Sequence, residues 1–220
     1  MSKRPTPKAT LSTRIADQLR AQIVSGTLTP GSKINLDHLR SQIGVSISPL
    51  REAVARLVAE GLVEFEDQRG YAVSPHSLAD LDEITNLRVL LETEALHAAI
   101  THGDLDWESK VMGSIHRLER TPRAGAVDWE AAHSAFHMAL ISGCGRPKLL
   151  EFCTLLRRQH DRYRHIRMNA ELRAAQADRV DTEHRAIAEA AVAREAEHAT
   201  ALLRAHIEAT ATTLRAQLRT

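Results

Sequence analysis

Residues 36–58 constrain the fold of this chain more than any other segment, because they combine two short helical patterns with a tight turn. Gly44 can adopt the positive φ that ends a first helix, and Ser46 or Ser48 can cap a second one. Apolar side chains then recur at helical spacing, which leaves Ser46, Ser48 and Arg51 outside, near the start of the second helix. The pattern predicts a helix-turn-helix that reads the major groove of DNA, the alternative being an ordinary helical hairpin.

The sequence on either side completes a winged-helix pattern. Residues 62–73 alternate between apolar and polar side chains on both sides of a turn that contains Arg69 and Gly70, which predicts a β-hairpin with a basic tip. Apolar residues at helical spacing over residues 11–24 predict another amphipathic helix upstream. Helix, helix-turn-helix and hairpin together predict an N-terminal winged helix-turn-helix domain over residues 8–75.

Several motifs of this region resemble the GntR family of bacterial transcription regulators. They are Ile23-Val24-Ser25-Gly26-Thr27-Leu28-Thr29-Pro30-Gly31, Val45-Ser46-Ile47-Ser48-Pro49-Leu50-Arg51-Glu52-Ala53, Ala59-Glu60-Gly61-Leu62-Val63 and Arg69-Gly70. The resemblance covers residues 10–75 and implies contact with operator DNA at Ser46, Ser48, Arg51 and Gly70. Many relatives have Arg after the first Ser of the turn, where this chain has Ile47. An apolar side chain can contact a thymine methyl group but cannot bridge a guanine or a phosphate, so we expect a different sequence preference there.

The composition fits a two-domain protein without a membrane segment. At 220 residues the chain is long enough for two domains, and no apolar run approaches the ~20 residues that span a bilayer. The start of the sequence is polar and basic, with no apolar signal core, so we expect a cytoplasmic protein. Residues 1–75 hold ten Lys and Arg against seven Asp and Glu, a small basic bias on the predicted DNA-binding half. Cys144 and Cys153 are predicted to be small core residues rather than a disulfide.

Beyond Pro75 the sequence predicts an all-helical second domain over residues 76–220. Each predicted helix is amphipathic, and polar or glycine-containing connections separate one helix from the next. The predicted helices cover residues 78–102, 105–120, 127–142, 147–169, 179–192 and 195–218. The fold class is therefore mostly α, with an N-terminal winged helix-turn-helix and a C-terminal all-α six-helix bundle.

Eleven of the twelve histidines fall in this second domain, and four of them lie on apolar stripes. His133 and His137 are four residues apart and share a helix face, a spacing used by transition-metal ligands. His184 and His206 each continue an apolar stripe on a later helix, so all four are predicted to point inward. Imidazoles from three helices can converge on one metal in a bundle core. The alternative for each is a core histidine with its own hydrogen bond; the other histidines are predicted to be surface or locally hydrogen-bonded residues.

The second domain resembles the FCD ligand-binding domain of one GntR subfamily, in the shorter VanR-type version. The motifs are Leu87-Arg88-Val89-Leu90-Leu91-Glu92, Ala135-Phe136-His137-Met138-Ala139-Leu140, Glu183-His184-Arg185-Ala186-Ile187 and Ala205-His206-Ile207. Many members hold a divalent metal with one Asp and three His, and the resemblance places His137, His184 and His206 on the three histidine positions. His133 stands where the family usually has Asp. An all-nitrogen shell favours Zn²⁺ or Ni²⁺ over Mn²⁺, unless His133 swings away and leaves three histidines.

Arg88 interrupts an apolar stripe along the first predicted helix of the bundle. A buried guanidinium requires an anion. Glu92, one turn later, is one candidate. The other is the carboxylate of an effector whose far end reaches the metal, a role that this Arg often plays in the resembled family. Arg158 and Arg162 could line the same cavity, but we expect them on a solvated face.

These features predict a metabolite-responsive DNA-binding transcription regulator, with a repressor released by a small carboxylate as the first choice. An operator with two half-sites requires two recognition helices, so we expect a symmetric homodimer on double-stranded DNA. Two alternatives stay open: a purely structural metal without an effector, and a metal-dependent enzyme. The enzyme is disfavoured because a His-Glu-x-x-His motif would need Glu where Ser134 stands, and there is no Gly-rich phosphate loop or nucleophile elbow.

Overall fold

The computed structural model describes residues 10–123, 126–164 and 170–219, which form nine helices and one small sheet. These residues fall into two compact units. The N-terminal unit runs to His76 and includes the segment from Asp161 near the end of the seventh helix, whereas the helical unit comprises Ser77–His160 and the last two helices. None of the described helices is both long and apolar enough to cross a membrane.

Three helices and three short strands build the N-terminal unit. They are α1 (Leu11–Val24), β1 (Lys33–Ile34), α2 (Leu36–Ile43), α3 (Ile47–Ala59), β2 (Val63–Glu66) and β3 (Gly70–Val73). The sheet is antiparallel in the order β1-β3-β2, with Glu66 opposite Gly70 at the hairpin turn. The predicted winged helix-turn-helix is confirmed. No sequence pattern predicts β1, because a two-residue strand is defined by its pairing with β3.

Local residue chemistry sets the turn between α2 and α3. The Asn35 side chain accepts hydrogen bonds from the backbone N–H groups of Asp37 and His38 and so caps the start of α2. Gly44 ends α2 with a φ of 72°, as predicted. Ser46 occupies the N-cap position of α3, although its side chain makes no capping hydrogen bond. The inward faces of α1, α3 and the hairpin share one apolar core, which includes Ile15, Leu19, Ile23, Leu50, Val54, Leu57, Leu62, Val63 and Val73.

Six helices form the helical unit, as the sequence predicts. They are α4 (Leu78–His102), α5 (Leu105–Arg120), α6 (Ala126–Ile141), α7 (Pro147–Arg164), α8 (Ala170–Val192) and α9 (Ala196–Leu218). The largest difference from the prediction is that α8 begins at Ala170 instead of residue 179. The alanine-rich sequence there favours helix without adding to the apolar stripe, which starts later. The predicted end of the preceding helix, at residue 169, lies outside the described residues.

Trp107 connects α5 to α6 inside the helical unit through hydrogen bonds. Its indole N–H donates to the carbonyl oxygens of Ala139 and Leu140, each at 3.1 Å. The buried apolar core around these helices includes Leu96, Val111, Phe136, Leu140, Ile187, Leu203 and Ile207. Cys144 and Cys153 are free thiols buried in the same core, as predicted.

Candidate metal centre and DNA interface

Four histidines come together inside the helical unit. His133 and His137 lie one turn apart on α6, His184 lies on α8 and His206 lies on α9. All four side chains are buried, with at most 4% of their surface exposed. One ring nitrogen from each residue lies within 4.8 Å of those of the other three. The fold therefore brings together the four histidines that the apolar stripes singled out, and we call them the histidine cluster.

The distances within the histidine cluster fit a single metal ion. The Nε2 atoms of His133 and His137 are 3.1 Å apart. In a tetrahedral site with Zn–N bonds of about 2.1 Å the ligand nitrogens lie about 3.4 Å apart, whereas an octahedral or square site also has opposed nitrogens about 4.2 Å apart. The widest separation in the cluster, up to 4.8 Å, would have to shorten by about half an ångström to reach the second spacing and by more than about 1 Å to reach the first.

The chemistry of His137 also fits a cation. The Nδ1 atom of His137 is buried and has no hydrogen-bond partner among the described residues. Burial lowers the pKa of His137 well below its ordinary range, and the positive charge of Arg157 lowers it further. The ring is therefore neutral at pH 7 and keeps a lone pair. A neutral imidazole is the form that binds a metal, and Nε2, the atom that faces His133, would be the ligand atom.

Trp129 holds the ring of His133 in the cluster. The two residues are one turn apart on α6, and their rings stack with centroids 5.0 Å apart and planes inclined by 18°. The guanidinium of Arg123 lies 4.2 Å from the Trp129 ring and also bonds the carboxylate of Asp181 on α8. His133 therefore lies with the other three imidazoles, and does not swing away from them.

Glu183, which was not among the predicted site residues, orients His206. Its Oε2 atom lies 2.8 Å from Nδ1 of His206, a contact that fixes the imidazole tautomer with Nε2 left for a ligand role. Burial opposes ionisation of Glu183, but the hydrogen bond to His206 and the charges of His206 and Arg179 lower its pKa overall. Its position directly before His184 could have indicated this role. Carboxylates commonly accept a hydrogen bond from the ring nitrogen of a metal-binding histidine that does not bind the metal.

Arg88 belongs to a buried ionic group with Glu92 and Arg157, which we call the arginine–glutamate group. None of the three side chains is more than 6% exposed. Arg88 donates to Glu92 through Nε at 2.6 Å and through Nη2 at 3.4 Å, so the predicted pair with Glu92 is present. Arg157 on α7 donates to the same carboxylate through Nη1 at 3.2 Å. Burial alone would raise the pKa of Glu92, but the two guanidinium groups lower it, so the carboxylate is ionised.

The other polar residues of α7 and of the helical unit divide between surface and interior. Arg158 is exposed, as predicted, whereas the prediction of a solvated face is wrong for Arg162, which is buried. The guanidinium of Arg162 donates to the carbonyl oxygen of Gly61 at 2.9 Å and to the Tyr163 hydroxyl at 3.3 Å, and these hydrogen bonds allow it to be buried. His160 is also buried, and His165 lies outside the described residues. The exposed histidines of this unit are His97, His102, His116 and His198.

The candidate base-reading residues lie at the start of α3. Ser46, Ser48 and Arg51 are all exposed. The Arg51 guanidinium has no partner among the described residues, so it is available to a base or a phosphate. Ile47 is half-buried and packs against the core of the N-terminal unit. Its side chain is therefore committed in part to the fold, which limits how far it can reach toward a thymine methyl group.

The hairpin presents a second candidate surface for DNA. Gly70 has a φ of 82° and Gln68 has a φ of 65°, so the turn uses the left-handed region twice. Arg69 is exposed at this turn and pairs with Glu66 at 2.8 Å. Because an exposed ion pair contributes little, Arg69 can exchange Glu66 for a DNA phosphate at small cost.

Comparison with known proteins matches both units. The family described as bacterial regulatory proteins, gntR family, matches residues 11–73, and the FCD domain matches residues 83–209. The HTH-type transcriptional regulator BphR of Paraburkholderia xenovorans (strain LB400) is 39% identical over 221 residues, which cover 96% of this chain and 89% of that protein. The HTH-type transcriptional repressor GlaR of Escherichia coli (strain K12) is 32% identical over 196 residues, covering 86% and 89%.

Solved structures share the fold of this chain. The structure of E. coli McbR/YncC superposes with a TM-score of 0.79 at 23% identity, covering 95% of this chain and 99% of that one. A GntR transcriptional regulator from Rhodococcus sp. RHA1 superposes with a TM-score of 0.77 at 25% identity, covering 93% and 97%. The family matches fall on the same segments that carry the sequence motifs described above.

Proposed function

Because the chain belongs to the GntR family of bacterial regulatory proteins and carries an FCD domain, it is a DNA-binding transcriptional regulator and not an enzyme; we propose that it is a repressor controlled by a divalent metal and a small carboxylate. Residues 8–75 would bind operator DNA, and residues 76–220 would bind the metal and the effector. The observation that carries this proposal is the buried histidine cluster. GlaR, one of the relatives that are named as repressors, supports the sign of regulation.

The four members of the histidine cluster would hold the metal: His133, His137, His184 and His206. All four donors are imidazole nitrogens, and the Glu183 carboxylate contacts Nδ1 of His206, which leaves Nε2 for the metal. A bound divalent ion would supply a Lewis acid and a positive charge that attract a carboxylate oxygen. Because this shell lacks the carboxylate ligand of the resembled family, we propose Zn²⁺ or Ni²⁺ in preference to Mn²⁺.

Metal analysis of the purified protein tests the assignment. We expect close to one equivalent of zinc or nickel per chain by mass spectrometry of the digested protein, and loss of that metal in His137→Ala. His198→Ala changes an exposed histidine on the same helix as His206 and is the matched control, which should keep its metal. Wild-type protein that purifies without metal and takes up none in equilibrium dialysis would contradict the proposal.

The substitution His133→Asp tests whether the fourth imidazole sets the metal preference. It restores the carboxylate that the resembled family uses at this position, and a harder oxygen ligand favours Mn²⁺. We expect the affinity for Mn²⁺ relative to Zn²⁺ to rise by roughly tenfold or more, measured by competition with a chelating dye. An unchanged ratio would mean that His133 is not a ligand.

At the DNA interface, Ser46, Ser48 and Arg51 would contact base edges, and Arg69 and Gly70 would contact the DNA backbone. A symmetric homodimer would place one α3 helix on each half-site, which light scattering of the free protein checks. We expect Arg51→Ala to weaken binding to an operator selected from genomic fragments by about tenfold or more, measured by fluorescence anisotropy. The exposed Arg117 on α5 provides the control substitution Arg117→Ala, which should leave binding unchanged.

The effector would bind between the metal and the arginine–glutamate group, where Arg88 is the residue first predicted to clamp it. Its binding would change operator affinity by about 1 to 3 kcal/mol. We expect a small carboxylate to raise the melting temperature of the metal-loaded protein only, and to release operator DNA at the same concentration. If removing the metal unfolds the helical unit and no carboxylate changes operator affinity, the metal is structural and the effector part of the proposal is wrong.

A further inference from the structure

Arg123, Trp129 and His133 contact one another in succession between the surface of the helical unit and the histidine cluster. The guanidinium of Arg123 lies over the indole of Trp129, and the indole stacks on the imidazole of His133. Exposure falls along this series, from 30% for the Arg123 side chain to 7% for Trp129 and 2% for His133. A surface cation is thus connected to a candidate metal ligand through one aromatic ring.

Arg123 is itself fixed by α8. Its Nη2 atom donates to Oδ1 of Asp181 at 2.5 Å and to the carbonyl oxygen of Ala177 at 3.4 Å. Asp181 lies one turn before His184, which belongs to the histidine cluster. The ion pair and the attraction to the indole act on the same guanidinium, so loss of its charge weakens both contacts.

The stack restrains the orientation of the His133 ring. Nε2 of His133 lies 3.1 Å from Nε2 of His137, inside the cluster. Rotation about the side-chain bonds of His133 would break its stacking on Trp129 and turn Nε2 away from this position. A ligand that is ordered before the metal arrives loses less conformational entropy when the metal binds. The stack should therefore strengthen metal binding.

We infer that Arg123 is a positioning residue for the metal: it fixes Trp129, and Trp129 fixes His133 as the fourth ligand. This assignment rests on the proposed metal function of the histidine cluster. Arg123 acts without binding the metal itself, since its charge reaches the site only through the indole. The surface ion pair between Arg123 and Asp181 thereby sets how tightly a buried ion is held.

A double-mutant cycle tests whether Arg123 acts through His133. The variants are Arg123→Gln, His133→Ala and their combination, and the Zn²⁺ affinity of each is measured by competition with a chelating dye. We expect Arg123→Gln to weaken Zn²⁺ binding by about fivefold or more when His133 is present. In the His133→Ala background the same change should cost about twofold or less, because the residue through which it acts is absent.

Trp129→Leu provides a second background, which keeps the test decisive if His133→Ala binds Zn²⁺ too weakly to measure. Without the indole, Arg123→Gln should again cost about twofold or less. Arg123→Lys keeps a cation beside the ring and should bind Zn²⁺ more tightly than Arg123→Gln does. A merely structural role would produce the same loss in every background.

The matched control is Arg215→Gln, which should leave the affinity for Zn²⁺ unchanged. Arg215 pairs with Asp82 between α9 and α4, and its side chain is 32% exposed, close to the value for Arg123. Equal losses with and without His133, or an unchanged affinity in Arg123→Gln, would overturn the assignment and leave the proposed metal site intact. Wild-type protein that binds neither Zn²⁺ nor Ni²⁺ would overturn both.

Discussion

The contact between Glu183 and His206 joins α8 to α9 at the edge of the histidine cluster. Glu183→Gln keeps the size of the side chain but removes the charge that fixes the imidazole tautomer. We expect the affinity for Zn²⁺ to fall by roughly 10- to 100-fold, measured by competition with a chelating dye. The control is Glu189→Gln, which changes an exposed carboxylate on the same helix. Equal affinities in the two variants would rule out an orienting role for Glu183.

The two cysteines should be inert in the folded protein. Burial raises the pKa of the Cys153 thiol to about 12, so almost no thiolate forms at pH 8. Cys144 is equally inaccessible, with 1% of its surface exposed. We expect neither thiol to react with Ellman's reagent in the native protein, and two per chain to react in guanidinium chloride. Rapid labelling of one thiol under native conditions would show that the core opens more readily than its packing implies.

Single residues differ in how far the sequence could predict them. The burial of His133, His137, His184 and His206 follows from helical periodicity, because each continues an apolar stripe. Glu183 does not continue an apolar stripe, and its role depends on a side-chain rotamer that reaches the neighbouring helix. The same holds for Arg157, whose contact with Glu92 depends on how α7 packs against α4, and for Arg162, which donates to the distant carbonyl oxygen of Gly61.

At the scale of helices, two glycines set how closely the ends of α4 and α6 approach Trp107. A Cβ on Gly143 would lie 2.9 Å from the indole, and one on Gly103 would lie 2.5 Å from the indole and from the carbonyl oxygen of Ala99. Two hydrogen bonds restrain this indole, so we expect Gly143→Ala to lower the free energy of unfolding by about 1 to 3 kcal/mol. Urea denaturation followed by circular dichroism measures the change.

The control for this substitution is Gly113→Ala, inside α5. A Cβ there meets nothing within 4 Å, and the position is exposed. Alanine should therefore raise the free energy of unfolding by about 0.5 to 1 kcal/mol, through its higher helix propensity. A Gly143→Ala variant as stable as this control would contradict the close packing against Trp107.

The elements themselves were largely predictable, because caps and apolar spacing are local properties. Gly44 marks the end of α2 and the helical pattern marks all six helices of the helical unit. Two features were not predicted: strand β1, which depends on a distant partner, and the first turns of α8, which have a uniform composition. Strand β1 exists through its pairing with β3, and the first turns of α8 are alanine-rich and lack an apolar stripe.

At the scale of the whole molecule, a metal in the histidine cluster would join α6 to the consecutive helices α8 and α9. A ligand that binds only the native state stabilises the parts it holds together. We expect Zn²⁺ to slow amide hydrogen exchange in these three helices by about tenfold or more at saturation, measured by mass spectrometry of peptides. Helices α1–α3 of the N-terminal unit serve as the internal reference. Slowing confined to that unit would contradict a site at the four histidines.

The stacking of Trp129 on His133 places a fluorescent side chain next to a candidate metal ligand. The chain has two tryptophans, so Trp107→Phe leaves one emitting indole, with its ring centroid 5.0 Å from that of a candidate ligand. An open-shell ion such as Ni²⁺ quenches a fluorophore at this range, whereas Zn²⁺ with its filled d shell does not. The intensity of the tryptophan emission would therefore distinguish bound Ni²⁺ from bound Zn²⁺ without an attached dye.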